Sequence, residues 1–127
     1  MGIAKLQKTR ISLLSGGEQQ RTAIARALVN DPEIIIADEP TGALDSRTGQ
    51  EVIRILRNIC NTGKTIVIVT HDEKIARQCD RILRMKDGRI VTDSWKNRDW
   101  WESDHGDRFS GLLIGYVGLS IVSLAYN

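Results

Sequence analysis

Two short apolar runs, each ending in residues that can do chemistry, constrain this chain more than anything else in it. Ile34-Ile35-Ile36-Ala37 is unbroken, with Asp31-Pro32 before it and Asp38-Glu39-Pro40 after it. A run of that length between turn residues reads as a strand buried on both faces, as in a parallel sheet. Thr65-Ile66-Val67-Ile68-Val69-Thr70 is a second strand, and His71-Asp72 follow it. Asp38, Glu39 and His71 therefore stand at strand carboxyl ends, and parallel strands bring them to one edge. Ligands of open α/β sheets bind at that edge. Two solvated acids and a polar loop histidine are the plain alternative.

Upstream, Leu14-Ser15-Gly16-Gly17-Glu18-Gln19-Gln20-Arg21 has the spacing of a capping box, Ser15 to Glu18, ahead of an apolar-periodic segment. Gly16 and Gly17 let the backbone approach a ligand closely. A hydroxyl, bare N–H groups and a helix start suit a phosphate, although an ordinary capped helix has the same look. At the strand ends, one carboxylate can hold Mg²⁺ through its water shell and the next can polarise an attacking water. An imidazole there can contact a γ-phosphate or orient that water.

The remaining layout follows from periodicity. Gly17 to Val29 reads as a helix with Ala23, Ile24, Ala27 and Leu28 as its stripe. Asp45 or Ser46 caps a second, with Val52, Ile53, Leu56, Ile59 and Cys60 facing in, and Asp72 caps a third, with Ile75, Ala76 and Cys79 inward. Asp87-Gly88 between Arg81–Lys86 and Arg89–Thr92 is a hairpin signal. Strand-helix-strand-helix-hairpin is an α/β order with an antiparallel edge. A net charge of +2 with scattered Lys and Arg gives no argument for nucleic acid. Cys60 and Cys79 lack metal spacing and read as buried thiols, which fits a reducing cytoplasm. No apolar signal segment opens the chain.

These motifs in this order resemble the carboxyl-terminal part of an ABC transporter ATPase domain. Leu14 to Gln19 is similar to the family signature, Ile34 to Glu39 to the Walker B strand, Ala43-Leu44-Asp45 to the D-loop and His71 to the switch histidine. Ala37 to Asp45 is similar to the lipoprotein-releasing and macrolide-exporter branch. The resemblance implies a partial P-loop-NTPase-type parallel sheet and a nucleotide site built head to tail between two ATPase domains. It implies that Ser15, Gly16 and Gly17, with Gln19 in the same signature, face ATP held by the partner. Asp38 supports Mg²⁺, Glu39 is the general base, His71 contacts the γ-phosphate and Asp45 lies across the dimer seam. It further implies permease subunits as partners and a place on the cytoplasmic face of the cell membrane.

The resemblance runs from about Ile11 to Asp93, so residues 1–93 are expected to form the ATPase portion. The 127 residues contain no Gly-x4-Gly-Lys-Ser/Thr. Gly63-Lys64-Thr65 leads from a helix into a strand, the reverse of a P-loop, and Asn58 stands where its first glycine belongs. Polar residues 94–108, with Trp95, Trp100 and Trp101, read as a linker. Phe109 to Tyr126 is uncharged over about 18 residues, or about 27 Å as a helix, and reads as a possible transmembrane segment with interfacial tryptophans upstream. The chain is expected to be cut short at both ends. Three functions compete: the ATP-hydrolysing component of a transporter, a non-catalytic piece that docks on an intact ATPase domain, and a truncated product without function.

Overall fold

The computed structural model describes residues 10–95 and 113–118. A five-stranded sheet has the order β1-β2-β5-β3-β4. Its strands are β1 Ile34–Asp38, β2 Thr65–Thr70, β3 Arg81–Lys86, β4 Arg89–Trp95 and β5 Leu113–Gly118. β1 pairs parallel with β2, Ile34 opposite Thr65 and Asp38 opposite Val69. β3 and β4 form the expected antiparallel hairpin, its turn made by Asp87 and Gly88 at φ 50° and 73°. Two positive φ values in succession are what a two-residue hairpin turn requires.

Among the described residues, three α-helices accompany the sheet: α1 Gly16–Ala27, α2 Ser46–Cys60 and α3 Glu73–Ala76. α2 places Val52, Ile53, Leu56 and Cys60 on one face, all buried against Ile35, Ile66 and Ile68 of the strands. Ile24 of α1, together with Ile75 and Cys79 around α3, completes this core. Full burial of each such side chain is worth roughly 1.5–3 kcal/mol. α3 is a single turn, shorter than its apolar spacing suggests, yet Ile75, Ala76 and Cys79 are buried as expected. Cys60 and Cys79 are free and buried.

Two expectations are corrected. β1 is not buried on both faces: Ile35 is 6% exposed, whereas Ile34 and Ile36 are 61% and 71% exposed. Among the described residues β1 is an edge strand and no element covers its second face. The transmembrane helix expected over 109–126 is not formed at 113–118, which are β5, parallel to both β2 and β3. Consecutive strands β2 and β3 are separated by one strand position, and their facing N–H and C=O groups need partners. β5 supplies them, with Ile68 and Ile82 both opposite Gly115. No helix among the described residues is long and apolar enough to cross a membrane. β4 carries the hairpin two residues into the expected linker, to Trp95; positions 96–108, and positions 109–112 and 119–126 of the apolar stretch, lie outside the described residues.

Candidate functional site

The site begins where β1 stops. Glu39 takes φ 42°, a left-handed conformation that costs a non-glycine residue of order 1 kcal/mol. Its N–H donates to the Val69 carbonyl at 2.8 Å, so the chain leaves the sheet only after one bond beyond the strand. The turn points the Glu39 side chain across to the end of β2. There its Oε1 accepts from the His71 backbone N–H at 2.9 Å and lies 2.6 Å from His71 Nδ1. Its Oε2 accepts from the Thr70 hydroxyl at 3.2 Å. The parallel register thus brings Glu39 and His71 together, as the shared edge requires.

An ionised carboxylate only accepts, so Nδ1 of His71 carries the proton in this pair. The Glu39 hydrogen bond, then its charge, hold the imidazole's pKa above the ordinary histidine value. The His71 side chain is 73% exposed, and with Nδ1 engaged its Nε2 is the nitrogen left for an incoming group. As the imidazolium, that nitrogen donates, which suits an anion.

Thr70 went unnoticed in the sequence because it looks like one more β-branched strand residue. It is 2% exposed, donates to Glu39 and accepts from the Asp72 N–H at 3.0 Å. A threonine directly before a strand-end histidine is the signal that could have pointed to it. Asp38 is exposed at the end of β1. Mg²⁺ keeps much of its water and takes one or two carboxylates plus phosphate oxygens. One exposed carboxylate beside Glu39 is a donor set that fits such an ion. Among the described residues, no cluster of three His, Cys, Asp or Glu forms a closed metal cage.

Ser15 caps α1 through a complete capping box. Glu18 N–H donates to Ser15 Oγ at 3.3 Å, and Glu18 Oε2 accepts from the Ser15 N–H at 2.8 Å and from its hydroxyl at 2.9 Å. These bonds, the backbone one first, hold the Glu18 carboxyl below its usual range. The single Ser15 proton is therefore already given to Glu18. Gln19 is also engaged, its Nε2 donating to the Leu14 carbonyl at 2.9 Å. Ser15 and Gly16 are exposed, whereas Gly17 is buried.

Asp45 caps α2, accepting from the Arg47 and Thr48 N–H groups at 3.1 Å each. The caps of α1 and α2 are neighbours: a Cβ on Gly16 would lie 3.0 Å from the Leu44 side chain, and one on Gly17 2.4 Å from the Thr48 methyl. Lys64, the lysine of Gly63-Lys64-Thr65, is tied by Nζ to Asp31 Oδ1 at 2.5 Å and the Pro32 carbonyl at 2.9 Å. Gly63, at φ 96°, serves to end α2, so this triplet is a helix-to-strand connection.

The sequence pattern of the ABC transporter family matches residues 1–42. The macrolide export ATP-binding/permease protein MacB of Nitrosomonas europaea is 50% identical over 124 residues, 98% of this chain and 18% of that protein. MacB of Photorhabdus laumondii is 60% identical over 81 residues, 64% of this chain and 12% of that protein. The chain thus spans less than one fifth of the curated relatives it matches. Among solved structures, the dimeric post-hydrolysis state of the ATP-binding cassette MJ0796 bound to ADP and Pi superposes with TM-score 0.61 at 49% identity, covering 68% of this chain and 38% of the cassette.

Proposed function

The chain belongs to the ABC transporter family, and we propose that it supplies the signature, Walker B and switch-histidine part of an ATP-hydrolysing site that drives transport. The observation that carries this is the clasp around Glu39: three donors from Thr70 and His71 fix a carboxylate that its own backbone turn aims at the sheet edge. A general base needs such fixing, because a water must be held within hydrogen-bond reach of one defined oxygen.

In this proposal Glu39 orients the attacking water and accepts its proton. His71, kept prone to protonation by Glu39, offers Nε2–H to the γ-phosphate. Asp38 holds Mg²⁺ through water, and the ion neutralises charge on the phosphates. Ser15 and the Gly16-Gly17 backbone face a nucleotide carried by a second ATP-binding domain, with Asp45 at the seam. The Ser15 hydroxyl donates to Glu18 in the free chain, so contact with phosphate exchanges one acceptor for another. Permease subunits as partners and a position on the cytoplasmic face of the membrane follow from the same family.

The test is ATP turnover by the chain together with an intact ABC ATP-binding domain. Glu39→Gln keeps the shape and removes the base, so turnover should be lost while nucleotide stays bound. Unchanged turnover would remove Glu39 from the role of base.

A docking role without catalysis by this chain is favoured by one separate observation: the capped turn at Ser15 and Gly16 is exposed whatever happens at Glu39. In that case Glu39→Gln leaves association intact and Ser15→Arg blocks it.

A further inference from the structure

The lone pairs of Glu39 decide which of its oxygens is open to a further group. An ionised carboxyl has about two acceptor positions on each oxygen. Oε1 has both filled from His71, by the backbone N–H at 2.9 Å and by Nδ1 at 2.6 Å. Among the described residues, Oε2 receives one bond, from the Thr70 hydroxyl at 3.2 Å. The direction of that bond is fixed. A hydroxyl owns one proton, and the Asp72 N–H, which can only donate, already sits on Thr70 Oγ1 at 3.0 Å. The Thr70 proton therefore goes to Oε2, and Oε2 keeps one acceptor position. A Cβ on Gly42 would stand 3.9 Å from Oε2, so that glycine leaves the space beside this oxygen clear of a side chain.

Packing alone does not ask for a hydroxyl at this position. Thr70 continues the buried alternation of Ile66 and Ile68 along β2 and is itself 2% exposed. A valine would fill the same branched shape in a strand. Burial and a stiff χ1 hold the threonine hydroxyl in one direction. We propose that Thr70 is a positioning residue that reserves Oε2 of Glu39 for the attacking water, while His71 occupies Oε1. This rests on the proposed role of Glu39 as general base.

Packing and positioning rank the variants in opposite orders. Thr70→Val keeps the branched shape and deletes the hydroxyl; Thr70→Ser keeps the hydroxyl and deletes the methyl. Asp72 is exposed, so water can take its N–H when the hydroxyl is gone. ATP turnover by the full chain with an intact ABC ATP-binding domain is measured against ATP concentration, with the Glu39→Gln rate subtracted. The His71 titration is followed by NMR in the free chain. Thr70→Val should lower kcat about tenfold with KM for ATP within about twofold, and Thr70→Ser should stay within about threefold of the parent. Thr70→Ala and Thr70→Ser both lack the methyl, and the same gap should separate them, which keeps the test intact if Thr70→Val does not fold. In Thr70→Val, or in Thr70→Ala if valine does not fold, His71 should still titrate above its ordinary value, because its partner is Oε1. A Thr70→Val rate equal to the parent's, or Thr70→Ser slower than Thr70→Val, overturns the proposal. So does a His71 titration returned to the ordinary value in the variant followed, since Thr70 would then hold the whole clasp and not one oxygen. If Glu39→Gln turns over as fast as the parent, the proposed function fails first and the role of Thr70 falls with it; that pattern is distinct from a Thr70 series in the wrong order.

Discussion

Ser15→Ala isolates what the capped turn contributes to the fold from what it contributes to binding. The substitution deletes the bond from Glu18 N–H to Oγ at 3.3 Å and the bond from Oγ to Glu18 at 2.9 Å. It leaves the 2.8 Å bond from the Ser15 N–H to the Glu18 carboxylate, the other half of the capping box. Loss of an N-cap side chain costs about 0.5–2 kcal/mol. Here the deleted backbone contact is long for an N–H···O bond and the surviving half still satisfies a donor. The cost should therefore lie at the low end, about 0.5–1 kcal/mol. Urea denaturation measures it as a lower midpoint with an unchanged slope. The Glu18 carboxyl should rise toward its usual value without reaching it, because its larger cause, the Ser15 N–H, remains. A carboxyl depressed by folding stabilises above its unfolded value and loses that contribution as pH falls through the folded one. The variant's deficit should thus shrink in acid. A loss above about 2 kcal/mol, or a Glu18 titration identical to the parent's, would refute this account of the cap. A loss of ATP-dependent association far beyond that small deficit is expected if Ser15 also meets phosphate.

Three further outcomes are expected. His71 should titrate above the ordinary histidine value of about 6.5, and Glu39→Gln should return it toward that value in an NMR pH series; since its pKa is raised by folding, the stabilisation by this pair is complete below the ordinary value and lost as pH rises through the raised one. Leu56→Ala, at a side chain with 0% exposure in the core, should cost about 2–5 kcal/mol in urea denaturation, and a smaller loss would mean that the site collapses around the cavity. Lys64→Met should leave nucleotide-dependent association unchanged while the Asp31 carboxyl, held low by the Lys64 hydrogen bond and charge, climbs toward its usual range; a drop in association would return Gly63-Lys64-Thr65 to consideration as a phosphate-binding group.

The sequence by itself determined the local elements and their caps. Ser15 with Glu18, Asp45 and Asp72 start helices wherever they stand before a periodic apolar stripe, because their side chains satisfy N–H groups only a few residues away. Asp87-Gly88 makes its hairpin for the same local reason. The apolar runs ending in Glu39 and His71 implied a shared edge, since parallel strands from one crossover unit present their carboxyl ends together.

Only the tertiary structure decided what depends on neighbours distant in sequence. Phe109–Tyr126 has the composition of a membrane helix, yet residues 113–118 pair as β5, because the open strand position between β2 and β3 offers hydrogen bonds to both edges at once. Ile34 and Ile36 look as buried as Ile35, but burial depends on what covers the second face of the sheet, not on the strand itself. Thr70 carries no motif of its own; its role comes from Glu39 reaching across from the adjacent strand, just as the close packing of Gly17 against the Thr48 methyl comes from α1 starting against α2. Hydrogen-bonding pattern and periodicity are written along the chain, whereas a contact between residues some thirty positions apart exists only once the sheet and its helices have been packed.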